Sequence, residues 1–246
     1  MSNSINFYKM PAIAAYQIAV KEGDKALDKM AARKDVKAEV DYFRNNIQNI
    51  KSVDDLFKDR RMTQFVMDAV DLSKETDKMG LIKKVLTEKA EDSDALMNKL
   101  VDKRFKAAAS LLQLGEKGMN KIQREKTKDD LAELYVKNKY SAGLASQSSA
   151  VPLALYMKDN ASTVRNMYDI LGDSRMRHVV TTALGLPLEL ANQSVEAQAA
   201  AIEKRMKVSD LKDPKFVDKL AKRFLMASDD GSLSGGSEQW KLNLFA

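Results

Sequence analysis

His178 is the only imidazole in 246 residues, and Ser174 precedes it by one helical turn. The sharpest chemistry these residue types offer is a hydroxyl activated by an imidazole at i, i+4. Such a pair needs a third group to orient the ring, and no acid stands at a spacing that would supply it. Arg175 and Arg177 lie between or beside the two residues, and both cations disfavour a protonated ring. A helical histidine, on the surface or partly buried, is the preferred reading. No catalytic residue is assigned, and the chain is expected not to be an enzyme.

Other chemistries fall away by composition. With no cysteine there is no thiolate nucleophile, disulfide, Cys-ligated zinc or Cys-ligated iron–sulfur cluster, and one histidine rules out a multi-His metal site. Carboxylates are paired at Asp54 and Asp55, Asp129 and Asp130, and Asp229 and Asp230. Adjacent residues on a helix point about 100° apart and do not converge on one substrate. The first two pairs sit at expected helix starts, where negative charge complements the dipole. Asp92-Ser93-Asp94 resembles the opening of a calcium loop, but Met97 stands where glycine is needed and Lys103 where the bidentate glutamate is needed. Leu114-Gly115-Glu116-Lys117-Gly118 reads as a helix break rather than a phosphate cradle. No metal and no cofactor is expected.

Lys and Arg number 41 against 35 Asp and Glu, so the pI is about 9.2, yet the excess is spread along the whole chain. That is unlike a nucleic-acid arm. The clusters Lys58, Arg60, Arg61 and Lys204, Arg205, Lys207 have acids nearby and read first as solvated faces. Contact with phosphate through them makes a basic nucleic-acid-binding regulator the alternative function, although nucleic acid is not the expected partner. No apolar run approaches the ~18 residues of a membrane span, and the start MSNSINFYKM lacks a basic region followed by an apolar stretch, so neither membrane insertion nor Sec-type export is expected. The absence of cysteine fits a reducing cytoplasm, and equally a protein passed unfolded through a dedicated secretion channel.

Alternation of apolar and polar residues is nearly absent, and the recurrent period is that of a helix. Val36, Val40, Phe43, Ile47 and Ile50 step by four, three, four and three along one stripe. Pro11 suits a first helical turn, with a long helix following it and an interruption near Gly23. Ser52 with Asp55 and Thr127 with Asp130 form short capping boxes, Ser194 caps more weakly, and Asp213-Pro214 is a cap followed by a first-turn proline. Gly172 and Gly185 stand where helices should stop. Met62, Met67, Met97, Met167, Met176 and Met206 fall inside helical patterns and are read as core filling.

A duplication organises these elements. Leu56, Asp59, Arg61, Met62, Phe65, Val66, Ala69, Val70 and Leu72 align at a constant offset of 114 with Ile170, Asp173, Arg175, Met176, Val179, Val180, Ala183, Leu184 and Leu186. At an offset of 119, Asp94, Val101, Lys103, Arg104 and Phe105 align with Asp213, Leu220, Lys222, Arg223 and Phe224. The expected fold is all-α, a compact helical bundle of roughly ten helices built from two pseudo-repeated modules, about 52–114 and 162–227. Residues 1–227 form a single all-helical domain in this reading, and 228–246 a flexible tail. Trp240, Leu242, Leu244 and Phe245 are the candidate protein-binding residues, since their alternation behind a Gly/Ser spacer would let them add to a partner.

From Tyr168-Asp169-Ile170-Leu171-Gly172-Asp173 through Ala183-Leu184-Gly185-Leu186-Pro187, the chain resembles the family catalogued as domain of unknown function 1217. The likeness extends to Asp210-Leu211-Lys212-Asp213-Pro214 and Arg223-Phe224, and backwards to Ile50-Lys51-Ser52-Val53-Asp54-Asp55 and Asp102-Lys103-Arg104-Phe105. It covers most of residues 11–227, while Tyr140 to Ser149 matches no pattern of the family. The family is helical, alphaproteobacterial and often encoded beside flagellar genes. The resemblance therefore implies a non-enzymatic structural or assembly factor of the flagellum that binds other proteins, with basal-body or export components as candidate partners. It implies a cytoplasmic location, association with the flagellum, or export through its channel.

Overall fold

The computed structural model describes residues 10–89, 91–100 and 102–229, and among them every regular element is helical. In chain order these are α1 (Ala12–Glu22), α2 (Asp24–Ala31), α3 (Lys34–Asn46), α4 (Val53–Lys58), α5 (Arg60–Ala69), α6 (Met79–Thr87), α7 (Leu96–Lys99) and α8 (Lys103–Leu112). They continue as α9 (Leu114–Lys117), α10 (Met119–Ile122), α11 (Glu125–Ala145), α12 (Ala150–Asn160), α13 (Met167–Leu171), α14 (Ser174–Ala183), α15 (Val195–Glu203) and α16 (Pro214–Asp229). The all-α expectation holds. The count exceeds ten because segments expected as single helices are divided: Gly118, at φ +53°, ends the one-turn α9, and α7 and α10 are equally short.

Contacts gather the chain into two compact units. One, central in the sequence, is Asp24–Ser141; the other, terminal, joins Met1–Gly23 to Ala142–Ala246. Each holds one copy of the repeat. In the central unit the stripe read from the sequence turns inward, with Val36, Phe43 and Ile47 buried and Val40 and Ile50 packed against them. In the terminal unit α12, α14 and α16 pack on one another, α1 joins α12 and α16, and Tyr16, Val151, Val179 and Phe224 lie in the core. All six methionines singled out as core filling are buried.

The offset of 114 is repeated in hydrogen bonds as well as in residue types. Ser52 and Asn166 cap α4 and α13, accepting from the amides of Asp55 and Asp169 at 3.1 and 3.0 Å. Asp59 and Asp173 cap α5 and α14, each accepting from the amide of the methionine three residues on. Both helices close on a left-handed residue, Asp71 at φ +58° and Gly185 at φ +61°, and the amides of Leu72 and Leu186 reach back to carbonyls five residues earlier. The correspondence starts earlier than the sequence reading placed it. Tyr42 and Tyr156 hydrogen-bond to Asp59 and Asp173, and the guanidinium of Arg61 or Arg175 lies 3.8 Å from the ring centroid of the tyrosine in its own copy.

The second offset, 119, is reproduced only in part: Phe105 and Phe224 are both buried, but the caps do not correspond. Asp94 lies in a turn before the one-turn α7, whereas Asp213 caps the long α16, and the position that caps as Asp213 does is Asp102. Thr127 does not cap a helix either. It is buried inside α11, which begins two residues earlier. Ser194 and Asp213 cap as expected.

The copies diverge where their surroundings differ. Val151 is fully buried in a unit where α1 and α16 pack on α12, while Lys37, its counterpart on α3, is exposed and pairs with Asp41 at 2.6 Å. The left-handed turn also differs. Gly185 adopts it freely, but Asp71 carries a Cβ that costs about 1 kcal/mol there. Arg104 holds that turn by donating to the Asp71 carbonyl at 2.8 Å, to Glu75 at 2.9 Å and to Asp102 at 2.7 Å. Burial works against the Arg104 charge, and Asp102, Asp71 and Glu75 outweigh it, raising its pKa well above the ordinary value.

Because Glu75 is almost wholly buried, Arg104→Met leaves its carboxylate with Lys78 alone, 3.2 Å away, and is expected to cost about 2 kcal/mol in urea unfolding. The Glu75→Gln/Arg104→Met double variant should regain much of that loss. Gly115 provides a second check, since a Cβ there would stand 2.2 Å from the Thr87 carbonyl oxygen and 2.4 Å from that of Glu88. Both are backbone atoms at the end of α6, so Gly115→Ala should lower stability by about 2 kcal/mol or more.

Candidate functional site

The sequence-predicted residues do not assemble into one place. Ser174 is the first residue of α14, and His178 on the same helix turns its ring edge-on to Phe224, with centroids 5.5 Å apart. Burial, reinforced by Arg177, holds the His178 pKa down from 6.5 to about 4. The imidazole is a packing element between α14 and α16. Among the described residues no three His, Asp or Glu side chains gather as a metal site, and Asp92 instead accepts from the amide of Asp94 in a local turn. Trp240, Leu242, Leu244 and Phe245 lie outside the described residues.

A groove of about 730 Å³ opens in the central unit, walled by α3, α5 and α11. Phe65 and Tyr135 line its floor, and they belong to a stack of three rings. Phe65 lies between Phe43 and Tyr135 with centroid separations of 4.4 and 4.3 Å, each such pair contributing about 1 kcal/mol beyond its buried area. The stack follows from spacing, because Phe43 is on the apolar stripe of α3 and Phe65 on that of α5, both against α11. The rim is polar. Asp35 and Glu39 come from α3, Arg60, Arg61, Gln64 and Asp68 from α5, and Lys139 from α11 one turn after Tyr135.

These charges are arranged in pairs. Arg61 donates from Nε and Nη2 to both oxygens of Glu39, at 3.0 and 3.1 Å, tying α5 to α3. Lys139 donates to Asp68 at 2.8 Å and lies 5.1 Å from the Tyr135 ring centroid, tying α11 to α5. Burial opposes the Lys139 charge, but Asp68 prevails and its pKa is raised, while burial chiefly raises that of Tyr135. Asn138 fastens the same junction by donating to the carbonyls of Asp68 and Ala69. Arg60 is exposed on the rim and makes no ion pair among the described residues. The expected cluster of Lys58, Arg60 and Arg61 is thus divided, with Lys58 3.9 Å from Asp55.

The family model described as a protein of unknown function (DUF1217) matches residues 69–217. The chain belongs to the DUF1217 family. The match runs through Tyr140–Ser149, contrary to the expectation that this stretch matches no pattern of the family; in the structure these residues end α11 and turn into α12. The chain is also similar to protein AGR_C_984 from Agrobacterium tumefaciens, known from a crystal structure, at 30% identity and a TM-score of 0.75, covering 88% of this chain and 92% of that one. No curated protein matches.

The groove of this DUF1217 protein was not legible as a motif, but the duplication carried a signal for it. At the offset of 114, Glu39 faces Leu153, Gln64 faces His178 and Asp68 faces Thr182. Positions whose polarity or charge differs between the copies mark faces with different neighbours. The pH dependence of stability tests the opposite case, His178. Its folded pKa lies below the unfolded one, so the unfolded chain binds the proton more tightly. The contribution is intact above about pH 6.5 and is lost as pH falls toward 4, amounting to on the order of 2 kcal/mol. His178→Gln, which installs the residue of the other copy, should flatten the drop in urea midpoint between pH 7 and pH 5.

Proposed function

We propose that this DUF1217 protein is a non-enzymatic structural or assembly factor of the flagellar system, and that it works by binding other proteins through the α3/α5/α11 groove. The observation that carries the binding role is the pairing of the rim. Arg61 with Glu39 and Lys139 with Asp68 present fixed charges of both signs above an aromatic floor, a surface suited to a polar, shape-matched guest. The flagellar part of the reading rests on the resemblance carried by Tyr168–Pro187 and Asp210–Pro214. No helix among the described residues is long and apolar enough to cross a membrane, which accords with a partner met in the cytoplasm, at the flagellum or in its export channel.

Photocrosslinking from position 64 in the native cell, paired with gene deletion, tests the two parts separately. Gln64 is exposed on the groove wall, so a crosslinking side chain there should capture flagellar basal-body or export proteins, and Arg61→Glu should abolish the capture. Deletion should reduce swimming. Intact basal bodies and normal swimming after deletion would remove the flagellar assignment, and capture unchanged by Arg61→Glu would remove the groove.

A further inference from the structure

We infer that the solvent face of α16 is a second docking surface, and that its partner is an acidic protein helix bearing carboxylates at four-residue spacing beside apolar side chains. The helix buries Val217, Leu220, Ala221, Phe224 and Leu225 against α12 and α14. On the opposite arc Lys215, Lys219 and Arg223 are exposed and make no ion pair among the described residues. Each step of four residues advances about 6 Å along the axis and about 40° around it, so the three cations form a slanted row that rises about 12 Å and turns about 80° around the helix. Asp218, between Lys215 and Lys219 in sequence, is paired instead with Lys222 at 2.7 Å and accepts from the Tyr16 hydroxyl at 3.4 Å. The line is therefore positive without internal compensation.

Met226 decides among anionic partners. It follows Lys215 by eleven positions, falls about 20° from it around the axis, and is 59% exposed. A large thioether at the end of a basic stripe, just beyond Arg223, meets nothing on a phosphate backbone, but it fits an interface between proteins, where Met and Arg are enriched. Nucleic-acid binding of useful strength draws on about 6–10 phosphate contacts, more than this line supplies. A lipid surface is disfavoured as well, because the apolar arc of α16 is already in the core and cannot enter a bilayer. An acidic helix matches the remaining requirements, since its own four-residue repeat sets carboxylates at the same 6 Å pitch.

The test uses the full chain and a fluorescent synthetic helix of about 18 residues, with Glu at every fourth position and Leu alongside, followed by anisotropy. Saturable binding at low salt is expected, weakened about tenfold by Lys219→Glu/Arg223→Glu and several-fold by Met226→Ala, and falling with added salt. Reversing two exposed lysines elsewhere, Lys51→Glu/Lys84→Glu, should leave it unchanged. All of these positions are on the surface, so circular dichroism should report the same fold throughout. Absence of binding at low salt, equal binding by the α16 variant, or equal loss in the Lys51/Lys84 control would overturn the inference. So would tighter binding of a DNA duplex, or of phosphatidylserine vesicles, that depends on the same α16 residues.

Discussion

A carboxylate at the foot of a helix sets the geometry of each copy. Asp59 and Asp173 accept from the first free amides of α5 and α14, and each is joined by a tyrosine hydroxyl from the preceding long helix. One side chain thus defines where a helix begins and which way it leaves its neighbour. Burial, with Asp173 beside it, pushes the Tyr156 hydroxyl up to about 12 against the pull of Arg175, so it stays a donor at any physiological pH. The arginine that covers the tyrosine ring is fixed in turn. In the central unit that arginine is Arg61, and from this seat it reaches Glu39 and becomes a wall of the groove.

The two copies show how one scaffold supports different surfaces. His178 and Gln64 occupy the same place in the repeat, but the imidazole is pressed against Phe224 and the amide faces an open groove. Glu39 has a guanidinium to hold, and its counterpart Leu153 has none of that chemistry. The backbone devices, caps and left-handed turns are shared, whereas side chains between them differ: Glu39 holds Arg61 of α5 in one unit, and His178 packs on Phe224 of α16 in the other. The turn itself shows the same economy, with a glycine sufficing in one copy and Arg104 with three acids supporting an aspartate in the other.

What the residues disclosed in advance follows from the range of the interactions. The Ser52 cap, the Asp213-Pro214 start and the stripe from Val36 to Ile50 are local, written within four residues or one helical face, and each is found where its spacing placed it. Thr127 misled because a hydroxyl followed by an acid three residues on is also compatible with a helix interior, and only packing decided that it is buried there. The groove depends on contacts across long separations, such as Asn138 with Asp68 and Arg61 with Glu39, which no local pattern encodes. Tyr42 and Asn46 were within reach of the repeat argument, since Tyr156 and Asn160 stand 114 positions later, but polar matches outside an apolar run carry little weight until a shared hydrogen bond joins them.

The three stacked rings have a consequence for recognition. Aromatic side chains held face to face in a close-packed interior have few rotamers to exchange, so the groove bottom is already organised before anything enters it. Conformational adjustment then falls on the incoming molecule, and its own stiffness, more than the total area it covers, will govern how tightly it is retained.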